Sequence, residues 1–220
     1  MAPGLRERHK QETRQAISDV ATRMFLTRGF DSVTISEVAE AAGVAKMTVT
    51  NYFPRKEDLV FDRAGAIVGS LADAIADRRD AESILAAIRR DYAERAARAD
   101  VTLGLSSPEF AGMITASPML AARNRELLEQ AERALGDSIA AETGPETGPA
   151  TSAPDVQQRV VAGLLASVHR TLYAEATRRS LAGDSHEDIC EALATAATRA
   201  FDLLEPALGS YGIRAASTLG

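Results

Sequence analysis

The segment TISEVAEAAGVAKMTVTNYF, residues 34–53, decides the fold of the first part of this chain. Thr34 and Glu37 form a threonine-x-x-glutamate capping box, in which each side chain satisfies a backbone donor at the start of a helix. The apolar residues that follow at helical spacing are Ile35, Val38, Ala39 and Ala42. Gly43 then ends the helix, and a second short helix is predicted over 46–52. The intervening turn, AGVA, has the length and the glycine of a helix-turn-helix connection.

Helices are also predicted on both sides of this segment. Residues 1–8 are expected to form a disordered lead-in, and apolar spacing predicts a helix over 9–28. Pro54 closes the short helix that precedes it, because proline disfavours helical geometry in the preceding residue, and a longer helix is expected to begin near Arg55. The stretch TGPETGPATSAP, residues 143–154, is predicted to be a mobile loop without function. The further helices are predicted at 56–77, 80–99, 108–115, 118–142, 155–181 and 186–207.

Composition favours an all-helical domain structure. Of the 220 residues, 45% are hydrophobic and only 5% aromatic, so alanine and leucine must fill most of the core. The net charge of −6 is uneven, because residues 1–60 carry +1 and residues 61–220 carry −7. Any surface that binds a polyanion is therefore expected in the first segment.

The sequence carries no signal for export, membrane insertion or an internal disulfide. The charged start MAPGLRERHKQETR lacks the apolar stretch of a signal peptide, and no apolar run is long enough to span a bilayer. A single cysteine, Cys190, fits a reducing compartment, so a cytoplasmic location is expected.

Candidate catalytic and metal-binding residues are sparse. Cys190 lies in a predicted apolar stripe, where a buried structural thiol is favoured over a nucleophile. The histidines, at positions 9, 169 and 186, form no metal spacing, and no glycine-rich phosphate loop is present. The sequence therefore predicts no enzyme activity, no metal site and no cofactor.

The last two predicted helices carry broad apolar bands. The first band comprises Val160, Val161, Leu164, Leu165, Val168 and Leu172. The second comprises Ile189, Leu193, Ala196, Ala197, Ala200, Phe201 and Leu204. Small side chains let helix axes approach closely. The pair either completes a monomer core or meets its own copy as a four-helix bundle, and the pattern leaves both interpretations open.

The stretch TRQAISDVATRMFLTRGFDSVTISEVAEAAGVAKMTVTNYFPRKEDL, residues 13–59, resembles the TetR family of bacterial transcriptional regulators. The resemblance rests on Phe25, Gly29-Phe30, Thr34-Ile35, Val38-Ala39, Ala42-Gly43-Val44, Thr48, Tyr52-Phe53 and Lys56-Glu57-Asp58-Leu59. It implies an all-α protein with a helix-turn-helix DNA-binding domain at 9–55. An effector-binding and dimerisation domain would follow at 56–208, with a C-terminal tail at 209–220. The SPMLAAR stretch, residues 117–123, and the helix after it resemble regulators that bind acyl-CoA-type ligands.

The resemblance also implies which residues face DNA. The helix over 46–52 would enter the major groove. Backbone positioning is assigned to Thr34, Thr48, Tyr52 and Lys56, and base reading to Lys46, Met47, Thr50 and Asn51, with Ser36 as a further contact. The family usually has tyrosine at the position of Thr50 and often has serine at that of Ala45. Alanine there forfeits a helix cap that is typically worth ~1 kcal/mol.

A mainly apolar effector pocket is expected among the C-terminal helices. Its candidate residues are Phe61, Tyr92, Phe110, Met113, Ile114, Met119, His169 and Tyr173. The resulting hypothesis is a homodimeric repressor that a small effector releases from a near-palindromic DNA operator, with the helix near Arg55 as the lever. Two alternatives stay open. One is a ligand-independent activator or DNA organiser of the same fold, and the other is a helical binding module or enzyme that keeps the three-helix unit only as packing.

Overall fold

A computed structural model describes residues 5–144 and 154–214 of the chain. Within these ranges the chain forms nine α-helices and two short 3₁₀ helices, without strands, which confirms the predicted all-α class. The α-helices are α1 Leu5–Arg28, α2 Ile35–Ala41, α3 Lys46–Tyr52, α4 Ala64–Ala76, α5 Ile84–Ala97, α6 Pro108–Ala116, α7 Pro118–Thr143, α8 Val156–Ala182 and α9 His186–Leu208. The 3₁₀ helices are η1 Lys56–Leu59 and η2 Val101–Leu103. No helix of the described residues is long and apolar enough to cross a membrane.

The chain divides into two compact units whose limits differ from the predicted domain boundary at residue 55. The first unit contains Met1–Ala64 and Glu109–Asn124, and the second contains Gly65–Pro108 and Arg125–Gly220. The first unit therefore holds η1, almost all of α6 and the start of α7 in addition to the predicted three helices. A salt bridge within this unit explains part of the difference, since Arg123 Nη2 lies 2.8 Å from Asp58 Oδ1.

The core of the first unit joins α1 to the two short helices. The most deeply buried side chains of α1 are Ile17, Ala21 and Phe25, which recur at helical spacing. The rings of Phe25 and Phe30 meet edge to face, with centroids 5.0 Å apart. The other buried apolar residues of this unit include Val33, Val38, Ala39, Val49, Phe53 and Leu59.

The turn between α2 and α3 is a Schellman motif. The amide of Val44 donates to the carbonyl of Ala39 at 3.0 Å, and the amide of Gly43 donates to that of Glu40 at 3.1 Å. Gly43 has φ +66°, in the left-handed region where only glycine is free of strain. The predicted capping box is also present, because Thr34 and Glu37 exchange backbone and side-chain hydrogen bonds. These short-range contacts fix where α2 begins and ends.

The predicted continuous helix over 56–77 is wrong. Residues 56–59 form η1, and α4 begins only at Ala64. Side chains of α1 bind the carbonyls in this region, since Ser18 Oγ donates to Leu59 O at 3.1 Å and Arg14 Nη2 donates to Asp62 O at 3.2 Å. The segment 60–63 is thereby held in a turned conformation, and the helix expected to act as a lever is not continuous with η1.

Two further predicted limits need correction. Residues 5–8, predicted to be disordered, are the first turns of α1. The helix predicted from 80 begins at Ile84, because Ser83 caps it by accepting the Ala86 amide at 3.2 Å. The predicted loop at 143–154 falls largely on 145–153, which lie outside the described residues. Residues 1–4 and the end of the predicted tail, 215–220, lie outside them as well.

The second unit is built on α5, α8 and α9. Its core contains most of the predicted apolar bands: Val161, Leu165 and Leu172 of α8, and Ile189, Leu193, Ala197 and Phe201 of α9. The Tyr92 ring of α5 meets Phe201 edge to face at 5.9 Å. Arg89 Nη1 also pairs with Asp202 Oδ1 at 2.6 Å across α5 and α9. Most of both bands therefore lies in the core of one chain, whereas Val160 and Leu164 of the first band are exposed.

Residues 209–214, predicted as part of a tail, are held against this unit. The amide of Arg214 donates to the Glu82 carbonyl at 3.1 Å, and the Ala81 amide donates to the Arg214 carbonyl at 3.1 Å. The buried Arg78 side chain donates to the Gly212 carbonyl and to Glu142 Oε2. A buried guanidinium needs such partners, which explains why the chain is fixed here.

Replacement of Gly43 by alanine should destabilise the first unit by about 1–2 kcal/mol, the cost of a left-handed alanine. An added Cβ would meet no atom within 4 Å, so the loss should not exceed this strain. Urea unfolding measures the change. Gly183, which ends α8 at φ +83° with the same open space, supplies a matched variant, Gly183→Ala, with a similar loss. An unchanged stability in Gly43→Ala would contradict the turn described here.

Candidate nucleic-acid interface

Helix α3 is anchored on one side and exposed on the other. Val49 is fully buried, and Phe53, directly after the helix, is buried as well. Lys46, Met47 and Asn51 are exposed, and Met47 keeps 69% of its surface. Thr48, predicted to contact the DNA backbone, and Thr50, predicted to read bases, are partly exposed.

The polar groups of α3 are not equally available. The Lys46 and Asn51 side chains make no hydrogen bond or ion pair with any of the described residues. By contrast, Thr50 Oγ1 donates to the Met47 carbonyl at 3.1 Å within the same helix. Because that donor is already used, Thr50 can offer a partner its methyl group and its oxygen lone pairs more readily than its proton.

The N-terminus of α3 lacks a side-chain cap, as its sequence predicts. Ala45 has the extended backbone of an N-cap residue, with φ −69° and ψ 147°, but has no oxygen to accept a hydrogen bond. The Ala45 carbonyl accepts the Thr48 amide at 2.9 Å, whereas the amides of Lys46 and Met47 have no acceptor in the described part of the chain. Two free N–H groups and the positive end of a helix are thus exposed beside the Lys46 ammonium.

The start of α2 is held by a closed polar network. The Thr34 hydroxyl accepts the Glu37 amide at 3.2 Å and lies 2.8 Å from Glu37 Oε2, and Arg28 Nη2 lies 2.6 Å from Glu37 Oε1. The Arg28 guanidinium, followed by the Thr34 hydrogen bonds, lowers the pKa of Glu37 to about 2. The predicted phosphate contact Thr34 therefore acts first as a helix cap, while Ser36, also predicted to contact DNA, is exposed.

Lys56 has a structural role that the sequence did not reveal. Its Nζ donates to the Phe30 carbonyl at 2.5 Å and lies 4.2 Å from the centre of the Phe30 ring and 5.7 Å from that of Phe25. Burial lowers the pKa of this ammonium. Two of its three N–H groups remain for a phosphate, but its position is fixed by the first unit.

Arg14 is the most important contact that the sequence analysis missed. Its Nη1 donates to the carbonyl of Tyr52, the last residue of α3, at 2.7 Å, and its guanidinium stacks 4.3 Å above the Phe53 ring. It thereby fixes the C-terminal end of α3 to α1. The sequence indicates this role of Arg14 only weakly, because a charged residue one turn before Ile17 is expected to be solvent-exposed.

The eight predicted pocket residues fall into both units. The first unit contains Phe61, Phe110, Met113, Ile114 and Met119, and the second contains Tyr92, His169 and Tyr173. In the first unit, Met119 is 54% exposed and Met113 lines a groove of about 400 Å³ beside Phe25 and Phe30. In the second unit, the His169 and Tyr173 rings lie edge to face at 6.3 Å.

The interior of the second unit contains polar atoms without partners. Tyr92 and His169 are 1% and 3% exposed, and the Tyr92 hydroxyl and both His169 ring nitrogens form no hydrogen bond with the described residues. Arg95, also buried, donates from Nη1 to Thr102 Oγ1 at 3.2 Å, and its Nη2 lies 2.6 Å from Asp91 Oδ2. Arg95 and Thr102 were not predicted. Buried polar groups of this kind normally find a partner, so they mark a candidate position for a bound molecule or water.

Cys190 is the residue that the sequence analysis weighed as a nucleophile. Cys190 is partly buried, and burial raises the pKa of its thiol, which lowers the thiolate fraction. No group of three or more His, Cys, Asp or Glu side chains in residues 5–144 and 154–214 could hold a metal ion.

Comparison with known proteins finds a family and solved structures that this chain resembles. The family of bacterial regulatory proteins called the tetR family matches residues 17–62. The HTH-type transcriptional regulator TcmR of Streptomyces glaucescens is 26% identical over 211 residues, which cover 94% of this chain and 88% of TcmR. The regulator AcrR of Shigella flexneri is 47% identical over 49 residues, which cover 22% of this chain and 23% of AcrR.

Two solved structures share the fold. The SmeT–triclosan complex has a TM-score of 0.51 and 16% identity, and covers 95% of this chain and 97% of SmeT. A TetR-family regulator from Mesorhizobium loti MAFF303099, described as a probable one, has a TM-score of 0.50 and 18% identity, and covers 88% of this chain and 96% of its own. At these identities the likeness concerns the fold alone.

The buried His169 should make the stability of the protein depend on pH between 7 and 5. Burial, with the charges of Arg95 and Arg170, lowers its pKa from 6.5 to about 4 in the folded chain. As pH falls below 6.5, the unfolded chain binds a proton that the folded chain refuses, so stability falls. The slope approaches ~1.4 kcal/mol per pH unit.

Thermal melts at a series of pH values measure this slope. The His169→Leu variant should lose it, whereas His186→Gln, at an exposed position, should keep it. An equal slope in all three proteins would show that His169 is accessible to protons.

Proposed function

We propose that this chain, which belongs to the TetR family of bacterial regulatory proteins, is a transcriptional regulator that binds a specific DNA operator through α3. In this proposal it acts as a homodimeric repressor that a small-molecule effector releases from the operator. It would work in the cytoplasm, where its DNA partner is.

The state of α3 supports the DNA-binding part of the proposal best. The helix is attached to the first unit by the buried side chains of Val49 and Phe53 and by the hydrogen bond from Arg14. Its exposed side carries Lys46, Met47 and Asn51, whose side chains have no partners among the described residues. A rigid helix with unpaired donors is what a major groove can receive, because its base edges and phosphates offer matching acceptors.

Each side chain then has a definite role in the proposed complex. Asn51 can pair with an adenine through two hydrogen bonds, and Lys46 can donate to a guanine edge. Thr48 and Tyr52 would hold phosphate oxygens through their hydroxyls. Thr34 and Lys56 contribute chiefly by stabilising the first unit, since their polar groups already form hydrogen bonds within it. Met47 and the Thr50 methyl group are suited to a thymine methyl.

An exposed apolar stripe on α8 supports the homodimer. Val156, Val160 and Leu164 follow at intervals of four residues and keep 67%, 55% and 39% of their surface. The neighbouring positions Val161 and Leu165 are buried in the core of the same chain, so α8 has a second apolar face that residues 5–144 and 154–214 leave uncovered. A second copy of α8 would cover it by two-fold symmetry, and two copies of α3 would then read a near-palindrome with half-sites about 34–36 Å apart.

The effector would bind in the second unit near Tyr92 and His169. A mainly apolar molecule that carries one or two oxygen atoms would give these buried groups the hydrogen-bond partners they lack. Such a ligand can act as a switch only if it binds the conformer without DNA more tightly than the DNA-bound one.

The full-length protein should select a near-palindromic sequence from random duplexes. With the selected duplex as a probe, Asn51→Ala should lose about 1–3 kcal/mol of preference at one base pair per half-site. Lys46→Ala should reduce discrimination at a second, neighbouring position. The Thr198→Ala variant, at an exposed site on α9, is the control and should bind as the wild type does. Absence of any selected sequence would refute the proposed function.

Substitution of the α8 stripe should convert the dimer into monomers. The double variant Val160→Glu/Leu164→Glu places four carboxylates in the proposed two-fold interface, and light scattering after size-exclusion chromatography measures the mass. Val101→Glu, at a 45% exposed position on η2, is the matched control and should stay dimeric. If the double variant keeps the mass of the wild type, α8 is not the interface.

A further inference from the structure

Residues 6–12, near the start of α1, have no buried side chain. The helix begins at Leu5, but its first buried residue is Ile17, which is 1% exposed. Residues 6–12 are all exposed. A helix gains most of its stability in a protein from packing an apolar stripe, and this stretch has none to pack. Packing against the core therefore does not explain why residues 6–12 are helical.

The same stretch is basic. Between residues 6 and 12 the chain carries Arg6, Arg8 and Lys10 against Glu7 and Glu12, and Glu12 Oε2 lies 3.3 Å from His9 Nδ1. None of the three cations makes an ion pair or hydrogen bond with the described residues. This sets them apart from Arg14, Arg28 and Lys56 of the same unit, which are all held by internal partners.

The contacts of Arg14 place this stretch beside α3. Arg14 binds the carbonyl of Tyr52 at the C-terminal end of α3. Lys10 lies one turn and Arg6 two turns before Arg14 on the same side of α1, which corresponds to about 6 Å and 12 Å along the helix axis. Lys10 and Arg6 therefore lie on the part of α1 that continues beyond the contact between Arg14 and the end of α3.

We propose that Arg6, Lys10 and the neighbouring Arg8 form a basic segment that contacts DNA phosphates flanking the base pairs read by α3. This inference rests on the proposed function and extends it beyond the helix-turn-helix. A row of unpaired cations beside a DNA-reading helix is complementary to the phosphate backbone. Because phosphates are the same in every sequence, the segment adds affinity without adding sequence preference.

The salt dependence of DNA binding tests this segment directly. The triple variant Arg6→Gln/Arg8→Gln/Lys10→Gln of the full chain is compared with Arg79→Gln/Arg125→Gln/Arg133→Gln, which removes three exposed arginines from the second unit. Each phosphate contact that is lost should reduce the slope of log affinity against log salt by about 0.9. Affinities for the selected duplex and for a scrambled duplex should fall by the same factor, and the control triple variant should keep the wild-type slope.

Further outcomes separate this inference from its alternatives. Arg6→Lys/Arg8→Lys preserves the charges and should keep the wild-type slope, which distinguishes charge from helix formation. A slope in the first triple variant equal to that of the control overturns the proposal, as does a loss confined to the selected duplex, because that would indicate base reading. Failure of the wild-type chain to select any duplex would instead defeat the proposed function itself, before the variants are compared.

Discussion

The attachment of α3 to α1 is the constraint on which the proposed DNA-binding surface depends. A helix of seven residues is too short to be stable alone, because nucleation costs more than two turns can return. Its geometry is therefore imposed from outside, by Val49 and Phe53 in the core and by Arg14 on the Tyr52 carbonyl. The same side chain of α1 also binds the Asp62 carbonyl, so one guanidinium fixes both the end of α3 and the turn before α4.

This arrangement explains why the outward side chains can be read as a recognition surface. In α3, one face contributes to stability and the other is available for recognition. Val49 contributes to the core and is wholly buried, while Lys46, Met47 and Asn51 contribute nothing to it that the described contacts reveal. Lys56 is an instructive exception, because a cation expected to serve DNA alone also packs on two aromatic rings. A substitution of Lys56 would therefore alter both the packing of the first unit and the proposed contact with DNA.

Local signals in the sequence were sufficient for much of the fold. The capping box at Thr34, the left-handed glycine at position 43 and the uncapped Ala45 act over four or five residues, and the structure confirms all three. Long-range contacts were not visible in the same way. The bond from Ser18 to the Leu59 carbonyl spans 41 residues and helps to interrupt a stretch whose own pattern is helical. The buried polar groups Arg95 and Thr102 were missed for a related reason, since charged and hydroxyl residues usually face water.

The bare start of α3 has a consequence for the energetics of any complex. Ala45 leaves the amides of Lys46 and Met47 to the solvent, so the free protein carries a helix that is incompletely terminated. A phosphate oxygen placed there would supply the missing acceptor and would neutralise the positive end of the helix dipole at the same time. A nucleic acid bound there would then supply the hydrogen-bond acceptors that the first turn of α3 lacks.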